Sequence, residues 1–275
     1  MYFRHQQTKL IIRTVTNVKI KWRSIISALA IIVCVGACAS ACSAPWSGKT
    51  QAGKANTSGE PSASQSSADP DFGEDSGHLA SSLQALAKRM LNDDNTLKKE
   101  KKDSDDVMST QQRDIIVRAT KNNGKISRSD YEQSWMNFRS CIVNRGWIDP
   151  KPLSYGGFYS MPAMNYAGLT DSQSKKLDKD LSYCIGHEMM NVDLLYRTQE
   201  GNAELSTDYH QLIVDCLIKK NVVPTSYSKD QFSKDTSSDS APEFFHSAEA
   251  QECFALYQYG YAETSDQASY WKPLG

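Results

Sequence analysis

The sequence lacks the short motifs by which common enzyme classes are recognised. It contains no GxSxG segment, no phosphate-binding P-loop and no dinucleotide fingerprint. His187 begins the segment HEMMN, but Asn191 stands where the HExxH zinc motif requires its second histidine. We therefore interpret His187 as a helix-surface residue. The sequence predicts a protein that is not an enzyme, with no cofactor and no metal.

Residues 1–23 lack acidic residues and carry six basic ones. The apolar run from Ile25 to Ala37 follows, and small residues come after it. This order is typical of an export signal. The run is shorter than the roughly 20 residues that a membrane-spanning helix needs. An uncleaved signal anchor is the alternative interpretation.

Two short segments after the apolar run, Val35-Gly-Ala-Cys38 and Ala39-Ser-Ala-Cys42, resemble the lipobox of bacterial lipoproteins. The long basic lead is similar to that of Gram-positive, actinobacterial lipoproteins. The resemblance implies that a cysteine receives diacylglycerol and anchors the chain at the outer face of the cell membrane. Val35, three positions before Cys38, matches the lipobox pattern better than Ala39 does before Cys42, which favours lipidation at Cys38. Lipidation at Cys42 leaves no orphan thiol after cleavage, so we favour Cys42 and keep Cys38 as the alternative.

Basic residues are scarce after the signal. Removing the six from 31 leaves 25 basic residues against 32 acidic ones, a net charge near −7. Nucleic-acid binding requires neutralisation of phosphates, so this balance excludes nucleic acid as a partner. The expected partners are the membrane, reached through the lipid, and another envelope protein or a cell-wall component.

Aliphatic residues are nearly absent between the signal and Gly77, where Ser, Gly, Ala and Pro dominate. Such a composition cannot bury enough surface to offset its ordering entropy, so it predicts a disordered tether. We divide the chain into a signal peptide, a tether, a charged helical extension, a first helical repeat, and a second repeat with a tail. Their ranges are 1–41, 42–78, 79–107, 108–201 and 202–275.

The remainder lacks βα alternation and shows helical periodicity instead. Capping-box pairs are expected at Ser109 with Gln112, Ser129 with Glu132, and Thr170 with Gln173. The charged segment that starts at residue 92 is expected to form either an exposed helical segment or, as the favoured interpretation, a hinge around residues 92–95. One long helix is expected between Thr170 and Gly201. The predicted fold class is all-α, a disulfide-stapled helical domain of two similar helix pairs with an N-terminal helical extension.

Two halves of the chain carry similar sequence features in the same order, which predicts an internal repeat. Each half has a cysteine-bearing helix that breaks five residues past the cysteine, at Gly146 and Asn221. Pro-x-Ser-Tyr follows each break, and a second cysteine-bearing helix completes each half. Three pairings of four cysteines are possible. The repeat selects Cys141–Cys184 and Cys216–Cys253.

The four cysteines lack the short spacing of structural zinc sites, which disfavours a zinc site. An exported domain meets an oxidising compartment, where disulfides form.

The loop of residues 147–168 gives the binding interpretation its candidates. Aromatic residues in irregular loops can stack on sugars or pack against a peptide. The candidate ligand- or partner-binding residues are Trp147, Tyr155, Phe158, Tyr159 and Tyr166. The alternative is that these rings fold back and cap the helices.

Together these features predict an extracytoplasmic lipoprotein that acts as a non-catalytic binding or interaction module, as an accessory to a cell-envelope or transport assembly. The alternative is an extracytoplasmic cell-wall hydrolase without a recognisable motif. A pocket that clusters His187, Glu188 and further carboxylates favours the hydrolase.

Overall fold

The computed structural model describes residues 77–100, 107–238, 241–260 and 270–275. Within these ranges the chain is mostly helical, with eight α-helices, one 3₁₀ turn and one two-stranded antiparallel hairpin. The predicted all-α class, with two disulfides linking helices, is confirmed. The elements are α1 (Leu83–Lys99), α2 (Thr110–Lys121), α3 (Arg128–Asn144), β1 (Leu153–Tyr155), β2 (Phe158–Ser160), α4 (Asp171–Glu188), α5 (Met190–Gly201), α6 (Tyr209–Lys219), α7 (Lys229–Ser237), the 3₁₀ turn (Glu243–His246) and α8 (Ala248–Leu256).

Helix starts follow the capping residues in two of the three predicted places. Thr170 and Gln173 form a complete capping box at α4. Ser109 caps α2 through the Gln112 amide, although the Gln112 side chain turns inward. The expected box at Ser129 is wrong, because Ser127 caps α3 and Ser129 lies in its first turn. The cap therefore sits two residues earlier than predicted.

The expected hinge at residues 92–95 is also wrong, since α1 continues through it to Lys99. Asp94 is fully buried, accepts a hydrogen bond from the Met108 amide at 2.8 Å, and pairs with Arg113 of α2. Contacts from the next segment thus hold the charged end of α1 in helical form.

The long helix expected between Thr170 and Gly201 is interrupted at Met189 and forms α4 and α5. The buried Gln112 side chain donates to the Gly186 and His187 carbonyls and accepts from the Asn191 amide. Backbone groups freed by the interruption therefore find a partner on α2, which stabilises the break.

Two hydrophobic clusters make up the core. The first joins α1 to α5 and includes Phe138 and Leu177, while the second joins α6 to α8 around Phe232, Phe245 and Phe254. Cys141–Cys184 links α3 to α4, and Cys216–Cys253 links α6 to α8. These are the two pairs that the sequence predicted. Gly146 and Asn221 both adopt positive φ, as expected at the two helix breaks, while the duplication itself stays a prediction.

None of the helices in the described ranges is both long and apolar enough to cross a membrane. Cys38, Cys42 and the predicted tether up to residue 76 lie outside the described residues.

Candidate functional site

The aromatic loop packs onto the helices. Trp147 is 6 % exposed, its indole N–H donates to Asp180 at 2.8 Å, and the Lys176 ammonium lies 4.7 Å from the centre of its ring. Phe158 is 8 % exposed and belongs to the first cluster. Both side chains are thus packed against other residues, and partner binding by Trp147 and Phe158 stays a prediction.

The three tyrosines of the loop are half-buried and pack against the same cluster. The Tyr159 ring stacks on Tyr131 at 5.8 Å between ring centres, and its backbone N–H donates to the Tyr131 hydroxyl. The Tyr166 hydroxyl donates to Asp178 at 2.9 Å, while Tyr155 lies on β1. These contacts agree with the alternative interpretation, in which the rings of the loop cap the helices, while partner binding by the three tyrosines stays a prediction.

A different surface of the first cluster forms a cleft, which we call the α3–α4 cleft. Its volume is about 380 Å³, at the small end of the range for ligand sites. One wall comes from α3 through Asn137, Ser140, Cys141 and Asn144. Their spacing of three and four residues places them on one helix face.

The other wall is a stack of planar groups. Tyr183 and His187 lie one turn apart on α4, with ring centres 4.9 Å apart. The Arg145 guanidinium carbon sits 3.9 Å from the centre of the Tyr183 ring, and Nη1 of the same group donates to Asp180 at 2.7 Å. These contacts fix the planar groups in place, and Gln111 of α2 with Glu188 completes the lining.

The Cys141–Cys184 disulfide joins the two walls, with a Cα–Cα distance of 5.7 Å. Cys184 is fully buried, whereas Cys141 is partly exposed and lines the cleft. The cross-link holds α3 and α4 at a fixed separation, so the cleft is pre-organised.

One hydrogen-bonding group beside the cleft is unused. The Asn137 Oδ1 accepts from Gln133 at 2.8 Å, while its Nδ2 is shielded from solvent and has no hydrogen-bond partner among the described residues. A buried amide donor without a partner costs free energy, about 1–3 kcal/mol.

His187 is positioned but not activated. Its Nδ1 lies 2.6 Å from the Val107 carbonyl oxygen, and its Nε2 is 3.9 Å from Glu188. Among the described residues no hydrogen bond joins it to Ser140, the only aliphatic hydroxyl in the lining. A nucleophile needs a base within hydrogen-bond reach. The cleft therefore shows no preformed nucleophile–base pair.

Glu188 is the only carboxylate in the lining, so the paired carboxylates of glycoside hydrolysis are not assembled there. The clustered carboxylates that favour a hydrolase are therefore not found at His187 in this part of the chain. Within the described residues, no group of three His, Cys, Asp or Glu side chains is arranged to hold a metal ion.

A second polar cluster lies deep between the two hydrophobic clusters. Asp193 accepts from Arg197 at 2.8 Å and from the Trp135 indole N–H at 2.9 Å. Arg197 also donates to the Ala255 carbonyl of α8. Burial raises the pKa of the nearby Tyr131 hydroxyl, and the Asp193 charge adds to that shift. These groups satisfy one another, so the cluster ties α5 to α3 and α8 and leaves no room for a ligand.

Asp180 lies outside the cleft lining and holds Arg145, which lines the cleft. Burial alone raises the pKa of its carboxyl, but hydrogen bonds from Lys176, Trp147 and Arg145 outweigh burial and hold the pKa below its ordinary value. Asp180 therefore stays ionised and fixes Arg145 at the edge of the cleft.

No family model, curated protein or solved structure matches the chain. The folded part matches no named family, so its function has to be argued from the α3–α4 cleft itself.

The sequence singled out His187 and Glu188 through HEMMN, and both line the cleft. It missed Asn137, Ser140 and Asn144. The available signal was their helical spacing around Cys141, which marks a polar stripe beside a cysteine predicted to be cross-linked.

Proposed function

We propose that this protein is a lipid-anchored extracytoplasmic lipoprotein that binds a component of the cell envelope without catalysing a reaction. The observation that carries the proposal is the α3–α4 cleft. Its lining offers amides, hydroxyls and a guanidinium, while its histidine lacks a nucleophile to activate.

The lipid anchor rests on the lipobox resemblance and on cysteine parity. The four cysteines after residue 77 are paired with one another in two disulfides, so none of them is left over. Cleavage before Cys42 then gives a mature chain whose single remaining thiol is the lipidated one. Mass spectrometry of the mature N-terminal peptide tests this assignment, and diacylglycerol on Cys38 would overturn it.

Binding at the cleft is tested by co-sedimentation of the full-length lipoprotein, kept in detergent, with purified cell walls. Ser140 is exposed on α3, so Ser140→Trp fills the cleft without disturbing the core. We expect this variant to lose at least about tenfold in wall affinity, which corresponds to roughly 1.4 kcal/mol.

The matched control is Ser226→Trp, since Ser226 is an exposed serine between α6 and α7 and does not line the cleft. Equal sedimentation of both variants would contradict the proposal. Release of wall fragments by the unaltered protein, lost in His187→Ala, would favour the hydrolase instead.

A further inference from the structure

The chemistry of the lining narrows the class of ligand. Three side-chain amides, from Gln111, Asn137 and Asn144, each carry a donor and an acceptor in one plane. The formal charges of the lining cancel, because it holds one carboxylate, Glu188, and one guanidinium, Arg145. The cleft is therefore suited to an uncharged ligand that both donates and accepts hydrogen bonds.

An apolar rim borders the amides. Met136 and Val143 are each 47 % exposed on α3. At 3.6 residues per turn they lie next to Ser140, on the side of the helix away from Cys141. A ligand seated over Ser140 meets polar groups on one side and two aliphatic side chains on the other.

A saccharide has this division of chemistry, since a pyranose ring carries hydroxyls at its edge and C–H groups on its face. Acetamido groups add an amide that can pair with the side-chain amides of the lining. An extended peptide is less well matched, because recognition of peptides commonly uses a sheet edge or an apolar groove and the cleft walls are helical and polar.

We propose that the α3–α4 cleft binds a saccharide segment that carries acetamido groups, with Asn137, Ser140 and Asn144 as its hydrogen-bonding wall. This inference rests on the proposed function and names its ligand class.

The test is competition against wall binding by the full-length lipoprotein, with N-acetylglucosamine oligomers as probe and glucose oligomers of equal length as comparison. We expect the acetylated oligomers to displace the protein from walls and the glucose oligomers to be at least about fivefold weaker, as loss of an amide hydrogen bond implies. Asn137→Ala and Asn144→Ala are expected to weaken the acetylated probe by at least about fivefold each. Gln211→Ala, on the exposed face of α6, is expected to change nothing.

The outcomes separate the two proposals. Wall binding that Ser140→Trp abolishes but acetylated oligomers do not displace overturns the saccharide assignment and leaves the binding function standing. Displacement by a short wall peptide in place of the sugars has the same meaning. Equal displacement by glucose oligomers overturns the acetamido requirement. Absence of wall binding overturns the proposed function itself.

Discussion

At the scale of single residues, buried carboxylates set the response of the fold to acid. Burial alone raises the pKa of the Asp94 carboxyl, but hydrogen bonds from Lys98, the Met108 amide and Arg113 more than offset burial and leave the pKa below its ordinary value. A carboxyl with a lowered folded-state pKa stabilises the fold above its unfolded pKa, and that contribution is lost as the pH falls through the folded value.

We expect Asp94→Asn to lower the free energy of unfolding at pH 7 by about 1.5–3 kcal/mol, the range for hydrogen bonds to charged groups. The difference from the unaltered protein should begin to shrink below about pH 4, where the Asp94 carboxyl of the unfolded chain binds a proton, and should vanish only below the lowered pKa of the folded state. Urea unfolding at pH 7 and pH 3 measures both. Asp114→Asn, at an exposed position of α2, is the control and should unfold like the unaltered protein.

Gly124 is a second residue whose role can be tested alone. It has φ +80, and a Cβ there would lie 2.3 Å from the backbone carbon of Leu83. Gly146 has φ +92 but open space around it. Substitution of Gly124 therefore combines a steric clash with backbone strain, whereas substitution of Gly146 introduces backbone strain alone.

We expect Gly146→Ala to lower the free energy of unfolding by about 1–2 kcal/mol, the usual left-handed penalty. Gly124→Ala should cost more than that, because α1 must move as well. Thermal unfolding of the two variants compares them directly, and equal losses would show that the approach of Leu83 does not matter.

At the scale of elements, the two disulfides have different consequences. Both close loops of similar length, with sequence separations of 43 and 37 residues. In the chain-entropy model each is worth about 3–4 kcal/mol. Only Cys141–Cys184 joins the walls of the α3–α4 cleft.

Replacing either pair by alanine should therefore lower the free energy of unfolding by about 3–4 kcal/mol. Wall affinity, measured well below the melting temperature of each variant, should fall only when Cys141 and Cys184 are replaced. If the Cys216 and Cys253 replacements weaken wall binding equally, the cross-link does not act through the cleft.

The element scale also shows what the sequence could predict. The two cysteine pairs could be predicted because cysteine-bearing helices and helix breaks recur in the same order along the chain. The hinge near Asp94 was wrong, since its charges look solvated locally but are paired with Arg113 on the next helix. The break at Met189 was missed because the Gln112 side chain that stabilises it lies 74 residues or more away in sequence from the carbonyls it binds.

Prediction of the site was limited in the same way, because burial depends on contacts between residues that are far apart in sequence. Trp147 and Phe158 belong to a loop with the composition of a binding loop, but Trp147 packs against α4 and Phe158 against α5, and both are buried. The polar stripe of Asn137, Ser140 and Asn144 is visible as helical spacing. Which helix faces it depends on tertiary packing, and local sequence does not encode that.

At the scale of the whole molecule, a proposed lipid anchor and tether precede the described helical fold. The Asp193–Arg197 cluster links the first hydrophobic cluster to α8, so the cleft is carried by a well-connected unit. On the predicted tether, the cleft is expected to reach ligand at a distance from the membrane.

Photo-crosslinking in living cells tests saccharide binding at the α3–α4 cleft, because it identifies the molecules that lie beside the cleft of the anchored protein in its own envelope. A photoreactive amino acid replaces Ser140 in one strain and the exposed Ser226 in another. We expect irradiation to attach wall saccharide to the protein from position 140 and not from position 226. Equal attachment from both positions, or none from position 140, would contradict it.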